Sequence, residues 1–108
     1  MEENVIKIEI YSRTAKDKNG NELDYYLHTA FLPNGEKINC KFKKGARFQQ
    51  PQTPDGVDIM HFNIYCQNDF DCISINDDYR GFPVLWVTKI ERIEPIEKQT
   101  QKQNRKVI

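Results

Sequence analysis

No stretch of this chain shows a sustained 3.6-residue apolar period, so the sequence signals no amphipathic helix. No apolar run approaches the roughly 20 residues that a membrane span needs. The opening MEENVIKIEIY shows no basic leader, apolar block or small-residue cleavage site, and the expectation is a cytoplasmic protein without membrane contact. Cysteine is sparse: Cys40, Cys66 and Cys72 make an odd set of 3 with no C-x-x-C spacing. Zinc needs ligands paired at short spacing, so the three read as small buried thiols in a reducing compartment. Catalytic signatures are missing too. His28 and His61 stand alone on alternating stretches, and H-E-x-x-H, G-x-S-x-G and a phosphate-binding loop are all absent. Asp77-Asp78 lacks the glycine loop of a cation site. The expectation is a non-enzyme with no metal and no cofactor.

What the chain does have is alternation. Apolar residues recur at every second position, with turn signals between the runs. The first run, about Asn4 to Thr14, puts Ile6, Ile8 and Ile10 on one side, and Asn19-Gly20 follows. The second runs from about Leu23 to Leu32, then Asn34-Gly35, then a third from about Glu36 to Lys44. After the loop GARFQQPQTPDG, a fourth strand at about Asp58 to Gln67 alternates Met60, Phe62, Ile64 and Cys66 with Ile59, His61, Asn63 and Tyr65. A short strand CISIN and the loop DDYRGFP lead to a closing strand, VLWVTKIERI. With 108 residues one domain is expected, over residues 1–96, followed by a polar basic tail at 97–108 that reads as disordered.

Net charge is zero, but the charges are sorted along the chain. Lys37 to Arg47 holds five basic residues and no acid. Phe48 to Tyr79 holds no lysine or arginine but six aspartates, Asp55, Asp58, Asp69, Asp71, Asp77 and Asp78. The tail adds Lys98, Lys102, Arg105 and Lys106. Such segregation, rather than the sum, bears on a polyanionic partner.

Asn-Gly between alternating strands predicts a tight two-residue type I′ hairpin, which fixes the pairing. The second hairpin then sets Phe31 opposite Ile38, Thr29 opposite Cys40 and Leu27 opposite Phe42. The first sets Ile8 opposite Phe31 and Ile10 opposite Thr29. The expected core side of this three-stranded meander is Ile6, Ile8, Ile10, Leu27, Phe31, Ile38, Cys40 and Phe42. Its outer side presents Tyr11, Arg13, Tyr26, His28, Lys41 and Lys43, with Glu9 the one acid. Cross-strand pairs of tyrosine with lysine or arginine are ordinary on a solvated sheet. The same residues also suit a platform on which bases stack while cations follow phosphates. Lys16 and Lys18 in the first hairpin tip, and Lys44, Arg47 and Phe48 after the third strand, would extend that patch. Phe48 either joins it or tucks into the core.

The meander VIKIEIYSRT and LDYYLHTAFLPNGEKINCKF, the polar hairpin tip and the closing strand FPVLWVTKIERIEPI resemble the small OB-fold single-stranded-DNA-binding proteins of phages and mobile elements. The resemblance spans about Asn4 to Ile96 and rests on strand order and loop character. It implies an all-β fold, a five-stranded antiparallel OB-like barrel, and a homodimer that coats single-stranded DNA or RNA with little regard to sequence. The site residues expected are Tyr11, Arg13, Lys16, Lys18, Tyr26, His28, Lys41, Lys43, Lys44, Arg47 and Phe48. A different reading gives the Asp-rich half the work, as a protein-binding accessory or inhibitor that mimics nucleic acid. Apolar residues on both sides of Val84 to Val87, with Trp86 among them, suggest either a dimer contact or a strand covered by its own loops.

Overall fold

In the computed structural model, residues 4–96 are described, and the expected tail at 97–108 lies outside them. The domain is all-β. Its strands are β1 (Val5–Lys16), β2 (Glu22–Phe31), β3 (Lys37–Phe42), β4 (His61–Gln67), β5 (Ile73–Asp77), β6 (Pro83–Val87) and β7 (Arg92–Pro95), with a 3-10 turn at Lys44–Ala46. They form one seven-stranded sheet in the order β5-β6-β3-β2-β1-β4-β7. Every pairing is antiparallel except β3 with β6, which is parallel. The expected five-stranded antiparallel barrel is therefore corrected: the sheet has seven strands, is mixed, and is not closed into a barrel.

The closing strand read from sequence is two. β6 lies beside β3, the chain turns away at Thr88, and β7 pairs with β4 at the opposite end of the sheet. β4 and β5 are consecutive in the chain yet sit toward opposite ends of the sheet, so residues 68–72 cross from one end to the other. The sheet is thus curled. Leu85 and Val87 of β6 join one core cluster with Ile8 and Ile10 of β1 and Phe62, Ile64 and Cys66 of β4. Burying a side chain of this size is worth about 1.5–3 kcal/mol, so this shared inner face holds the curl.

The inner face follows the alternation on β1, β3 and β4. Ile8, Ile10, Ile38, Cys40, Phe62, Ile64 and Cys66 are all buried, and Ile6 and Phe42 pack against them. β2 does not follow it. Ile10 faces Ala30, Ser12 faces His28, and Ala30 and His28 face Ile38 and Cys40. Both hairpins are one residue out from the expected pairing, so β3 is displaced by two residues along β1, an even shift that leaves the faces of β1 and β3 unchanged. β1 and β3 keep their faces while β2 alone turns over, because a one-residue shift exchanges the sides of a strand.

The cause lies in the turns. In the second hairpin the Gly35 N–H donates to the Leu32 carbonyl (2.8 Å) and the Leu32 N–H to the Glu36 carbonyl (2.9 Å). Pro33, Asn34 and Gly35 therefore form a three-residue loop, with Gly35 left-handed at φ 90°. A two-residue turn would make Pro33 the last pairing residue, and proline has no N–H to donate. Its fixed φ suits the second position of a type I turn instead. In the first hairpin Asp17 enforces the same loop, with its Oδ1 accepting from the N–H groups of Asn19 and Asn21, both at 2.9 Å. A bulge between Lys16 opposite Glu22 and Thr14 opposite Tyr26 moves the pairing by two further residues without changing the face.

Candidate nucleic-acid interface

The turned-over β2 redraws the outer face. Across β1, β2, β3 and β6 that face carries Tyr11 and Arg13, Leu27 and Thr29, Asn39 and Lys41, then Trp86. Phe31 joins it, its ring meeting Tyr11 edge-on at 5.2 Å. Tyr26 and His28, expected outside, lie on the inner side. The His28 ring shares a hydrogen bond with the Ser12 hydroxyl (2.7 Å), and burial lowers its pKa, favouring the neutral ring. The Tyr26 hydroxyl donates to Asp58, which also accepts from Gln52 Nε2. These bonds hold the Asp58 carboxyl below its ordinary value and push the Tyr26 phenol up.

β2 and β3 share a ladder only from His28 to Phe31 opposite Lys37 to Cys40. Beyond Cys40 they part, since β3 continues along β6 and β2 continues along β1. The gap is a cleft of about 690 Å³. Its rim carries Arg13, Lys41 and Arg80 beside Trp86, and its depth is lined by His28, Phe42 and Phe48. The Phe42 and Phe48 rings stack at 3.9 Å and 4°, and His28 meets both edge-on. Phe48 thus packs against the core and floors the cleft at once. Among the described residues Asp78 is the one acid in the lining, and it is committed to the Arg80 guanidinium at 3.1 Å.

Trp86 is the residue that the sequence reading left out of the site. Lys41 Nζ and Lys43 Nζ lie over its ring at 5.6 and 5.5 Å from the centroid. Each such contact is worth about 0.5–1 kcal/mol at an exposed position, so the two ammonium groups converge on the ring at modest cost. The available signal was alternation: with Leu85 and Val87 inward, Trp86 had to face out. Val84 obscured it, being apolar, outward and only 1% exposed within its own chain. The β5–β6 turn adds Arg80 over the rings of Tyr79 (5.6 Å) and Phe82 (5.2 Å). Tyr79 is 95% exposed.

Of the expected site residues, the cleft brings together Arg13, Tyr26, His28, Lys41 and Phe48. Lys43 joins them through Trp86. Tyr11 faces outward, stacked on His61 (3.8 Å, 19°), whose Nε2 pairs with Glu9. This bond holds the Glu9 carboxyl below its ordinary value. Lys16 and Lys18 belong to the β1–β2 tip, Lys44 opens the 3-10 turn and Arg47 follows it; none of these four lines the cleft. Among the described residues no helix is long and apolar enough to cross a membrane, and no group of three His, Cys, Asp or Glu side chains could hold a metal. Comparison with known protein families, curated proteins and solved structures finds no match to this chain.

Proposed function

We propose that this protein is a non-catalytic binder of single-stranded nucleic acid, DNA before RNA, that coats its ligand with little regard to sequence. The observation that carries this reading is the cleft between β2 and β3: an aromatic floor, a cationic rim, and Trp86 under two lysines. Every base offers a flat face for stacking, which makes such a site tolerant of sequence, while Arg13, Lys41 and Lys43 are placed to follow phosphates. The strand order supports an OB-like origin. β1, β2 and β3 form a meander, the third strand pairs in parallel with a later one, and the chain crosses from β4 to β5 without pairing them. The OB-fold is a partly open barrel whose second and third strands face oligonucleotides. Three buried free thiols fit a cytoplasmic, reducing setting. Burial pushes the thiols of Cys40 and Cys66 up to about 12, which suits packing rather than reactivity.

Trp86 is the sole tryptophan and so reports on its own site. Titration with oligo-dT should quench its fluorescence, and the affinity should exceed that for a duplex of equal length and fall as salt rises. Trp86→Ala, followed with labelled oligo-dT, should weaken binding about 5- to 150-fold, the equivalent of about 1–3 kcal/mol for one stacked base. Absence of binding to oligo-dT and oligo-U at low salt would refute the proposal and favour the Asp-rich half as a protein-binding surface.

A further inference from the structure

The crossover between β4 and β5 presents a large apolar ring to solvent. Phe70 is 81% exposed and stands between Asp69 and Asp71. The segment is well tied: the Asp69 carbonyl accepts from the N–H groups of Cys72 (3.1 Å) and Ile73 (3.0 Å), and Asp69 Oδ1 accepts from the Asp71 N–H (2.9 Å). The ring is therefore held outward by a fixed turn rather than left on a loose loop.

A second hollow, of about 570 Å³, lies outside the nucleic-acid cleft. Its apolar wall is Ala46, Ile90 and Ile93, and its cations are Arg47, Lys89 and Arg92. Arg92 already stacks on Tyr65 (3.8 Å) and pairs with Glu94, so Arg47 and Lys89 are the groups that matter here. Arg47 sits in the left-handed region at φ 54°, a conformation that arginine adopts at a cost. The N–H groups of Thr88 (2.7 Å) and Lys89 (3.3 Å) both donate to the Cys72 carbonyl, so Lys89 in the wall of the hollow abuts the end of the crossover.

We infer that this surface is a two-fold interface between copies of this chain: Phe70 of each copy enters the hollow of the other, with Asp69 and Asp71 meeting Arg47 and Lys89. A knob and a complementary hole carried close together on one chain satisfy each other reciprocally about a two-fold axis, which closes the assembly as a dimer. The knob is anionic with an apolar tip, and the hole is cationic with an apolar wall, so charge and ring select the same partner. A buried aromatic anchor ringed by polar contacts is the usual centre of such an interface.

Sedimentation of the full chain across concentrations, without nucleic acid, tests this. The wild type should dimerise, less strongly at high salt. Phe70→Ser, and separately Arg47→Glu with Lys89→Glu, should each weaken self-association by about tenfold or more, with unchanged far-ultraviolet circular dichroism. Phe70→Tyr, which keeps the ring, should still dimerise. Mixing the two defective variants pairs an intact knob with an intact hole and should restore association in part. A wild type that stays monomeric, a Phe70→Ser protein that dimerises like wild type, or a mixture that remains monomeric would each overturn the inference. None of these outcomes depends on whether the protein binds nucleic acid.

Discussion

The tip joining β1 to β2 and the tip joining β5 to β6 share one backbone and carry opposite cargo. In the first, the Gly20 N–H donates to the Asp17 carbonyl (3.0 Å), the Asp17 N–H to Asn21 (2.9 Å), and Gly20 has φ 85°. In the second, the Gly81 N–H donates to the Asp78 carbonyl (2.9 Å), the Asp78 N–H to Phe82 (2.8 Å), and Gly81 has φ 87°. Each aspartate also accepts two backbone N–H groups through Oδ1: Asn19 and Asn21 for Asp17, Arg80 and Phe82 for Asp78. Between these fixed points one tip holds Lys18 and Asn19 and the other Tyr79 and Arg80. The backbone sets how the residues are presented, and the side chains decide to what. Lysine suits a solvated, long-range attraction to phosphate, whereas an exposed tyrosine held still suits a base.

That contrast can be pressed experimentally. Tyr79→Ala with Phe82→Ala should lower affinity for oligo-dT by about 5- to 30-fold, the equivalent of about 1–2 kcal/mol of stacking. Lys16→Ala with Lys18→Ala should change affinity less at moderate salt, and should flatten the dependence of log affinity on log salt by about 0.7 for each phosphate that no longer meets a lysine. If the lysine pair proved the more damaging at every salt concentration, the division of labour between the tips would be wrong. A comparable effect, on stability and not on binding, should treat the tips alike. Gly20→Ala and Gly81→Ala each force a Cβ into the left-handed region and should lower stability by about 1–2 kcal/mol in denaturant titrations. Unequal costs would show that the two loops are not equivalent.

The smallest effect is electrostatic. Hydrogen bonds from the Asn21 and Phe82 N–H groups lead in holding Asp17 and Asp78 below the ordinary carboxylate value. A folded-state pKa below the unfolded one contributes stability that is present above the unfolded pKa and is lost as pH falls through the folded pKa. Stability should thus hold down to the ordinary aspartate range, about pH 4, and decline below it. Asp17→Asn or Asp78→Asn keeps an accepting oxygen but cannot titrate, so the acid decline measured by denaturation should become shallower. An unchanged decline would place its origin in other carboxylates.

Four loops of this domain share that turn. Leu32 to Glu36 and Thr53 to Val57 repeat it, with Gly35 at φ 90° and Gly56 at φ 84°. The pattern was visible in DKNGN, LPNGE, TPDGV and DYRGF, where glycine always stands fourth. Reading Asn-Gly as a two-residue turn overlooked the residues just before it. Pro33 lacks the N–H that such a turn requires, and Asp17 supplies an acceptor that favours the longer one. That single omission reversed β2 and with it Tyr26 and His28. The inner faces of β1, β3 and β4 were legible, because alternation there depends on burial alone. The parallel pairing of β3 and β6 was not, since no local signal marks strands brought together from distant parts of a chain. The lysines over Trp86 were hidden for the same reason: Lys41 and Lys43 lie on and just after β3, far away in sequence.

The seam between β3 and β6 has one more consequence, and it concerns how the domain comes to exist. Hairpins zip from their turns at small entropic cost, but Asn39 can meet Val84 only after everything between them has been gathered in. Contacts of such long reach slow the folding of β proteins. The lysine–tryptophan station is thus assembled across one of the long closures in the sheet, and its integrity reports that the whole chain has found its place.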